Sequence, residues 1–308
     1  MKPFLAAASL AVLLAGCAHA QATGAPSPGF DIAITVDDLP DHGNLPANTT
    51  RLAIADSYLA TLKAHHVPEA YGFVNAAGIE REPGTEAVLD HWRAAGYPLG
   101  NHTYSHMNIR TGGLAAFEAD LEKGEPAVSS RMQGQDWHWL RFPFLSAGDG
   151  ADHDGIIAYL KAHGYRIADV SMSFSDWAYT EPYNRCVAKG DDAAIATLKA
   201  QYMKGVHAEI ARSLPLSQTV YGRQIKHVLL THIGGFSALM LPDVLDALDA
   251  AGARYVPIAD AESDPAYAET DVKAGDGSVM ERTGYEKGID MSAVPAGASI
   301  DGLDAVCK

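Results

Sequence analysis

The chain has 308 residues, a formal net charge of −15 and 47% apolar residues. That apolar content can fill a large core, and an acidic chain with no basic run to neutralise phosphates argues against a nucleic-acid partner. Three cysteines are too few for a disulfide-framed miniprotein and leave at most one pair plus one.

In chain order, residues 1–20 read as a targeting segment, with Lys2 as the positive charge and Phe4 to Leu14 as a short apolar run. The run is too short to span a bilayer comfortably. Two processing sites compete. Leu14-Ala15-Gly16-Cys17 resembles a bacterial lipobox, which makes Cys17 an acylated N-terminus, and Ala18-His19-Ala20 resembles an ordinary signal-peptidase site. The lipobox demands cysteine at one place and is the more specific match. The expectation is therefore export to the periplasm or cell surface, with a membrane association only through a lipid anchor at Cys17. Residues 21–29, with Gly, Pro and Ser, form a flexible tether.

From there strand and helix patterns alternate. Apolar runs predict strands over 31–36, 70–75, 137–142, 166–174, 227–231 and 254–258. Helical spacing marks 52–67, 85–95, 114–131, 154–163, 191–214 and 241–251. Such alternation predicts a mainly parallel sheet covered by helices, at about the length of one barrel domain of ~250 residues. The stretch from Tyr179 to Gln224 is read as a long connection. The tail from Ala259 to Lys308 is read as irregular and packed on the domain. Cys186 and Cys307 could pair in an oxidising compartment and pin that tail.

Chemically able residues gather at the predicted strand ends. Asp37-Asp38, Asp176 and His232 each follow a strand, Arg141 ends one, and His102 and His106 follow the short segment 97–101. Barrel enzymes build their sites from such C-terminal strand ends. His102 and His106 are four apart, a spacing that would put both rings on one face of a helical turn and within reach of one metal ion. A nearby carboxylate would complete three protein ligands and leave an open position, as in a catalytic zinc site. The remaining histidines that carry no motif (His65, His66, His91, His138, His153, His163, His207 and His227) are read as surface or packing residues. Trp137 and Trp139 are read as core on one strand face.

Five short patterns together resemble the polysaccharide deacetylase family, also called the NodB-homology domain or carbohydrate esterase family 4. Thr35-Val36-Asp37-Asp38 is similar to its TFDD motif, and His102-Thr103-Tyr104-Ser105-His106 to H[ST]xxH. Arg141-Phe142-Pro143-Phe144 is similar to RxP[YF], Ser173 to Trp177 to DxxDW, and Leu229 to His232 to LxxH. They occur in family order. The resemblance implies a single α/β domain over residues 30–260, a distorted (β/α) barrel of the NodB-homology type, followed by the tail at 261–308. It implies a metal-dependent hydrolase that removes acetyl groups from glycans. Asp37 would be the general base, held down in pKa and oriented by Arg141, and His232 the general acid, paired with Asp176. Asp38, His102 and His106 would hold a divalent ion, zinc by the donor set. Leu230 would line an acetyl pocket, Trp177 would wall the groove, and the backbone near Phe144 would donate to the oxyanion.

Departures from the family pattern are Val36 for an aromatic, Leu39-Pro40 where glycine is common, and Ser173 at the first acid of the fourth motif. Two other classes compete: a catalytically silent carbohydrate-binding lipoprotein of the same fold, and a non-haem iron oxygenase with a two-histidine, one-carboxylate triad. Binding alone has no need for Asp37, Arg141 and His232 together, and an oxygenase leaves the acid and base unexplained.

Overall fold

The structure, a computed structural model, describes residues 29–268, 272–291, 294–295 and 297–308. The expected signal segment, with Cys17 and Ala20, and the tether up to residue 28 lie outside the described residues. No helix among the described residues is long and apolar enough to cross a membrane.

Eight strands are described: β1 (Phe30–Leu39), β2 (Ala70–Val74), β3 (Leu99–Asn101), β4 (Trp139–Leu140), β5 (Arg166–Ile167), β6 (Met172–Ser173), β7 (His227–His232) and β8 (Ala253–Tyr255). They pair in the order β5-β4-β3-β2-β1-β7-β6, with β8 beside the start of β1. Every pairing is parallel. Parallel neighbours need crossovers, and helices such as 51–64, 114–129 and 235–250 supply them. With helices outside, β2 and β7 are buried at every position, which fits the apolar run of β2 and the Val228-Leu229-Leu230 centre of β7. The result is a curled half-barrel ringed by helices.

The run 166–174, expected as one strand, is two, and they sit at opposite ends of the strand order. Residues 168–171 cross the open seam between them. Ala168 N–H donates to Leu140 O on one side, and Ser171 N–H donates to Val228 O on the other. Between them the C-terminal tail supplies partners: Asp169 N–H donates to Glu262 Oε1, and Val279 N–H donates to Val170 O. Buried backbone groups must be paired, so the tail completes what the sheet leaves open.

The tail is accordingly not irregular throughout. It forms a helix over Val279–Glu286, started by a capping box of Ser278 and Glu281. Its end is pinned by a Cys186–Cys307 disulfide with S–S 2.06 Å. Cys186 lies on a helix, Thr180–Lys189, inside the stretch read as a connection. The next helix, Asp192–Tyr221, continues past the expected stop through Pro215. The helix after β7 begins at Gly235, a turn and a half before the expected Leu241.

Candidate active site

In a parallel sheet all C-terminal strand ends face one side, and register decides which residues meet there. Asp37 on β1 is the direct partner of His232 on β7. Asn101 on β3 is opposite Leu140 on β4, so His102 and Arg141 emerge side by side. His102 Nδ1 is 2.7 Å from Arg141 O. With that nitrogen donating to a carbonyl, Nε2 carries the free lone pair.

Asp37 and Asp38 would face opposite sides of a regular strand. Here the pairing of β1 with β2 slips between Val36 and Leu39, and Asp38 adopts φ 66°. The bulge turns both carboxylates into one pocket. His102 and His106 also reach it, but not from a helical turn. The segment 102–106 is a loop, with Thr103 at φ 59° and His106 at φ 60°. Asp120 holds the loop from the helix Leu114–Ser129, accepting from Ser105 N–H and Ser105 Oγ. Asn75 Nδ2 donates to the carbonyl of His102.

The pocket has a volume of about 450 Å³. Asp37, Asp38, His102, His106, His232, Phe144, Trp177 and Leu230 all line it. Arg141 and Asp176 stand directly behind, each buried and each joined to a lining residue. Arg141 Nη1 donates to Asp37 Oδ1 at 3.2 Å and Oδ2 at 3.3 Å, its Nε to Ala168 O, and its Nη2 to Thr35 Oγ1. Asp176 Oδ1 is 2.9 Å from His232 Nδ1. Its Oδ2 accepts from His232 N–H at 2.8 Å and from Ser237 Oγ at 2.6 Å. Phe144 and Trp177 are the exposed aromatics of the rim, at 59% and 48%.

Asp38 Oδ1 lies 3.5 Å from His102 Nε2 and 3.6 Å from His106 Nε2. It is a buried oxygen with no hydrogen-bond partner. An orphaned carboxylate oxygen costs free energy unless something cationic meets it. Burial also lowers both histidines to about 4, leaving them neutral. One carboxylate oxygen and two imidazole nitrogens mutually within 4.8 Å suit a divalent metal.

The two ion pairs are polarised in opposite senses. Burial raises Asp37 to about 6; the charge of Arg141 pulls it down, in the expected sense, but does not offset the desolvation. Burial opposes the charged form of His232, but the charge and hydrogen bond of Asp176 outweigh it and raise His232 to about 9. The Asp37 carboxyl is thus brought close to neutrality, while the His232 imidazole is held protonated there.

His42 lines the pocket without having carried a sequence expectation. His42 Nδ1 is 2.7 Å from Asp38 Oδ2, and its ring is 4.8 Å from that of His232. The signal available was its position four residues after Asp38, where the family's glycine-bearing loop is replaced.

A parallel half-barrel with such a pocket at its strand ends defines a class of α/β proteins whose sites are built on loops. The profile described as polysaccharide deacetylase matches residues 24–168. Over those residues, somewhat under half of its length, the chain resembles the polysaccharide deacetylase family. The match takes in Asp37, Asp38, His102, His106 and Arg141, and Asp176 and His232 lie beyond it. A chitin deacetylase of Colletotrichum lindemuthianum is 28% identical over 158 residues, half of this chain and 56% of that protein. The chain therefore spans little more than half the length of this curated relative. The solved chitin deacetylase of that fungus superposes with TM-score 0.51 at 20% identity, covering 77% of this chain and 88% of the other. A polysaccharide deacetylase of Bacillus cereus gives TM-score 0.51 at 16% identity, covering 80% and 96%. A pseudoenzyme of carbohydrate esterase family 4 from Bacillus anthracis also gives 0.51, at 16% identity over 77% and 66%. These superpositions establish the distorted barrel fold that the motifs implied.

Proposed function

We propose that this chain is a metal-dependent hydrolase that removes acetyl groups from N-acetylated or O-acetylated glycans. The observation that carries the reading is the juxtaposition of Asp37 and His232 across β1 and β7, one tuned as base and the other as acid, above a cation-ready cluster. Asp38, His102 and His106 would hold the ion. When bound, a divalent cation acidifies water and stabilises the oxyanion of amide or ester hydrolysis, and zinc fits two nitrogens and one carboxylate.

The chain's own residues account for the proton movements. Asp37 accepts a proton from the attacking water as its oxygen bonds to the acetyl carbon. Arg141, a cation that does not give up its proton, keeps the carboxylate aligned at 3.2 Å and 3.3 Å. Asp176 engages His232 Nδ1, so Nε2 is the nitrogen that delivers a proton to the leaving amine as the C–N bond breaks. Acetate and a free amine are the products, or acetate and an alcohol for an ester. Leu230 bounds the small acetyl end, Trp177 and Phe144 offer aromatic faces to a sugar ring, and the backbone near Phe144 donates to the oxyanion.

The second reading is a silent carbohydrate-binding protein, since a protein of this fold is described as a pseudoenzyme. Acetate release from chitin oligomers, peptidoglycan, acetylated xylan and small acetylated amines, measured with metal content, separates the two. Release that requires stoichiometric metal supports the hydrolase; binding without release supports the alternative. Export with a lipid anchor at Cys17 is part of the same proposal. Cys17→Ser should then move the protein from membranes to the soluble exported fraction.

A further inference from the structure

The two oxygens of Asp38 have different surroundings. Oδ1 is the buried, unpartnered atom that faces His102 and His106. Oδ2 is held by His42 Nδ1 at 2.7 Å. A carboxylate only accepts, so the hydrogen of that bond sits on the His42 nitrogen. Fixing one oxygen fixes the plane of the group and hence the aim of the other.

His42 is itself held from behind. Arg51, at the start of the helix 51–64, donates Nη1 to His42 O at 3.3 Å and Nη2 to Gly43 O at 2.8 Å. Its Nε donates to Glu82 Oε2 at 3.0 Å. Gly43 turns at φ 59° against Thr180, where an added Cβ would come within 2.7 Å of Thr180 Cγ2. Arg51 and this glycine seat the imidazole in the wall of the pocket, between Asp38 and the ring of His232.

We infer that His42 is a positioning residue for the candidate metal centre, orienting Asp38 so that Oδ1 is presented together with the Nε2 atoms of His102 and His106. The inference rests on the reading that those three residues hold a divalent cation. It goes beyond that reading by assigning the outer half of the site to a residue outside the five motifs. Partners that orient metal ligands in this way typically account for 10–100-fold in metal affinity.

The test is a zinc titration of the metal-stripped full chain against a competing chromophoric chelator, for wild type, His42→Ala, His42→Asn and His102→Ala. Cobalt absorption spectra report the geometry of the site, and melting of the metal-free proteins reports folding. An asparagine amide can donate near the position of Nδ1. His42→Ala is therefore expected to weaken zinc about 10–100-fold, and His42→Asn to recover most of that loss, with metal-free melting unchanged in both. Zinc affinity in His42→Ala equal to wild type overturns the inference. So does a complete loss matching His102→Ala, because His42 would then be a ligand itself. Equal losses in the alanine and asparagine variants, accompanied by lower metal-free melting, would make His42 structural and also overturn it. Wild type that binds no zinc or cobalt would instead defeat the underlying metal reading, and the inference with it.

Discussion

Asp176→Asn tests the acid half of the site without emptying it. The carboxylate accepts three hydrogen bonds, from His232 N–H, His232 Nδ1 and Ser237 Oγ. An asparagine can keep its carbonyl toward His232 N–H and Ser237, and would turn its amide toward Nδ1. The geometry survives and the negative charge goes. His232 now stands near 9, above its ordinary 6.5, because the charge and hydrogen bond of Asp176 outweigh burial. With the carboxylate gone, burial favours neutral imidazole and is opposed by the more modest charges of Asp38 and Asp37. An opposite charge at such range is worth about 1–3 pKa units. The alkaline limb of kcat/KM should therefore fall from about 9 to between about 6 and 8. The sign follows from the acid's role: the proton lost as pH rises is the one the leaving group needs. At pH 8 a shift of two units would cost about tenfold in the protonated fraction. The assay is acetate release against pH on one acetylated substrate, for wild type, Asp176→Asn and Ser237→Ala. The serine variant loses a hydrogen bond but no charge, so its limb should move less. An alkaline limb that stays near 9 in Asp176→Asn, or rises, refutes the assignment of Asp176 to His232.

His102→Ala should abolish both stoichiometric metal, measured by elemental analysis, and acetate release; metal retained at wild-type level would remove His102 from the ligand set. Asp37→Asn should keep the metal and lose on the order of 10²–10⁴-fold in turnover, and loss of metal here with retention in Asp38→Asn would exchange the two roles. Cys307→Ser should lower unfolding free energy by about 2–4 kcal/mol, because the bridge closes a loop with a sequence separation of 121. Denaturant curves with and without reductant read this out, and wild type should fall to the variant's midpoint when reduced.

The site was legible because its chemistry sits at strand ends. Asp37, Arg141 and His232 are each the last word of an apolar run, and parallel pairing carries such ends to one face without further instruction. What the sequence left open depends on partners far away along the chain. The spacing of His102 and His106 suits a helical turn and a tight loop equally; the choice is made by Asp120, and by left-handed Thr103 and His106. Residues 166–174 read as one strand because the run is mostly apolar and largely buried. Only the tail's Glu262 and Val279, which take the middle of the run, reveal that it crosses a seam. The helix at 180–189 was available to a closer reading, since Tyr179, Tyr183 and Cys186 recur at helical spacing and pack inward. His42 had no motif around it, and its meaning arises only from the bulge that turns Asp38 into the pocket.

The pairing of a fixed cation with one carboxylate and a titratable cation with the other explains why these positions are not interchangeable. Asp37 and Asp176 are both buried, at 2% and 1% exposure, so neither tolerates ionisation without a partner. Arginine stays charged over any working pH, so Asp37 can take up and release a proton while its neighbour's charge remains constant. Histidine must change charge to act as an acid, and a carboxylate on its far nitrogen makes the charged form the resting one. Exchanging the cations would leave Asp37 beside a group whose charge varies with the reaction, and Asp176 beside one that cannot donate a proton. The hydrogen bonds reinforce the distinction. Arg141 is locked by Ala168 O and Thr35 Oγ1 as well as by Asp37, whereas the His232 ring is tied among the described residues at Nδ1, which under the proposed function would leave Nε2 for a substrate. The seam that sets the carbonyl of Ala168 is completed by the tail, so the alignment of Asp37 depends on residues more than a hundred positions after Arg141.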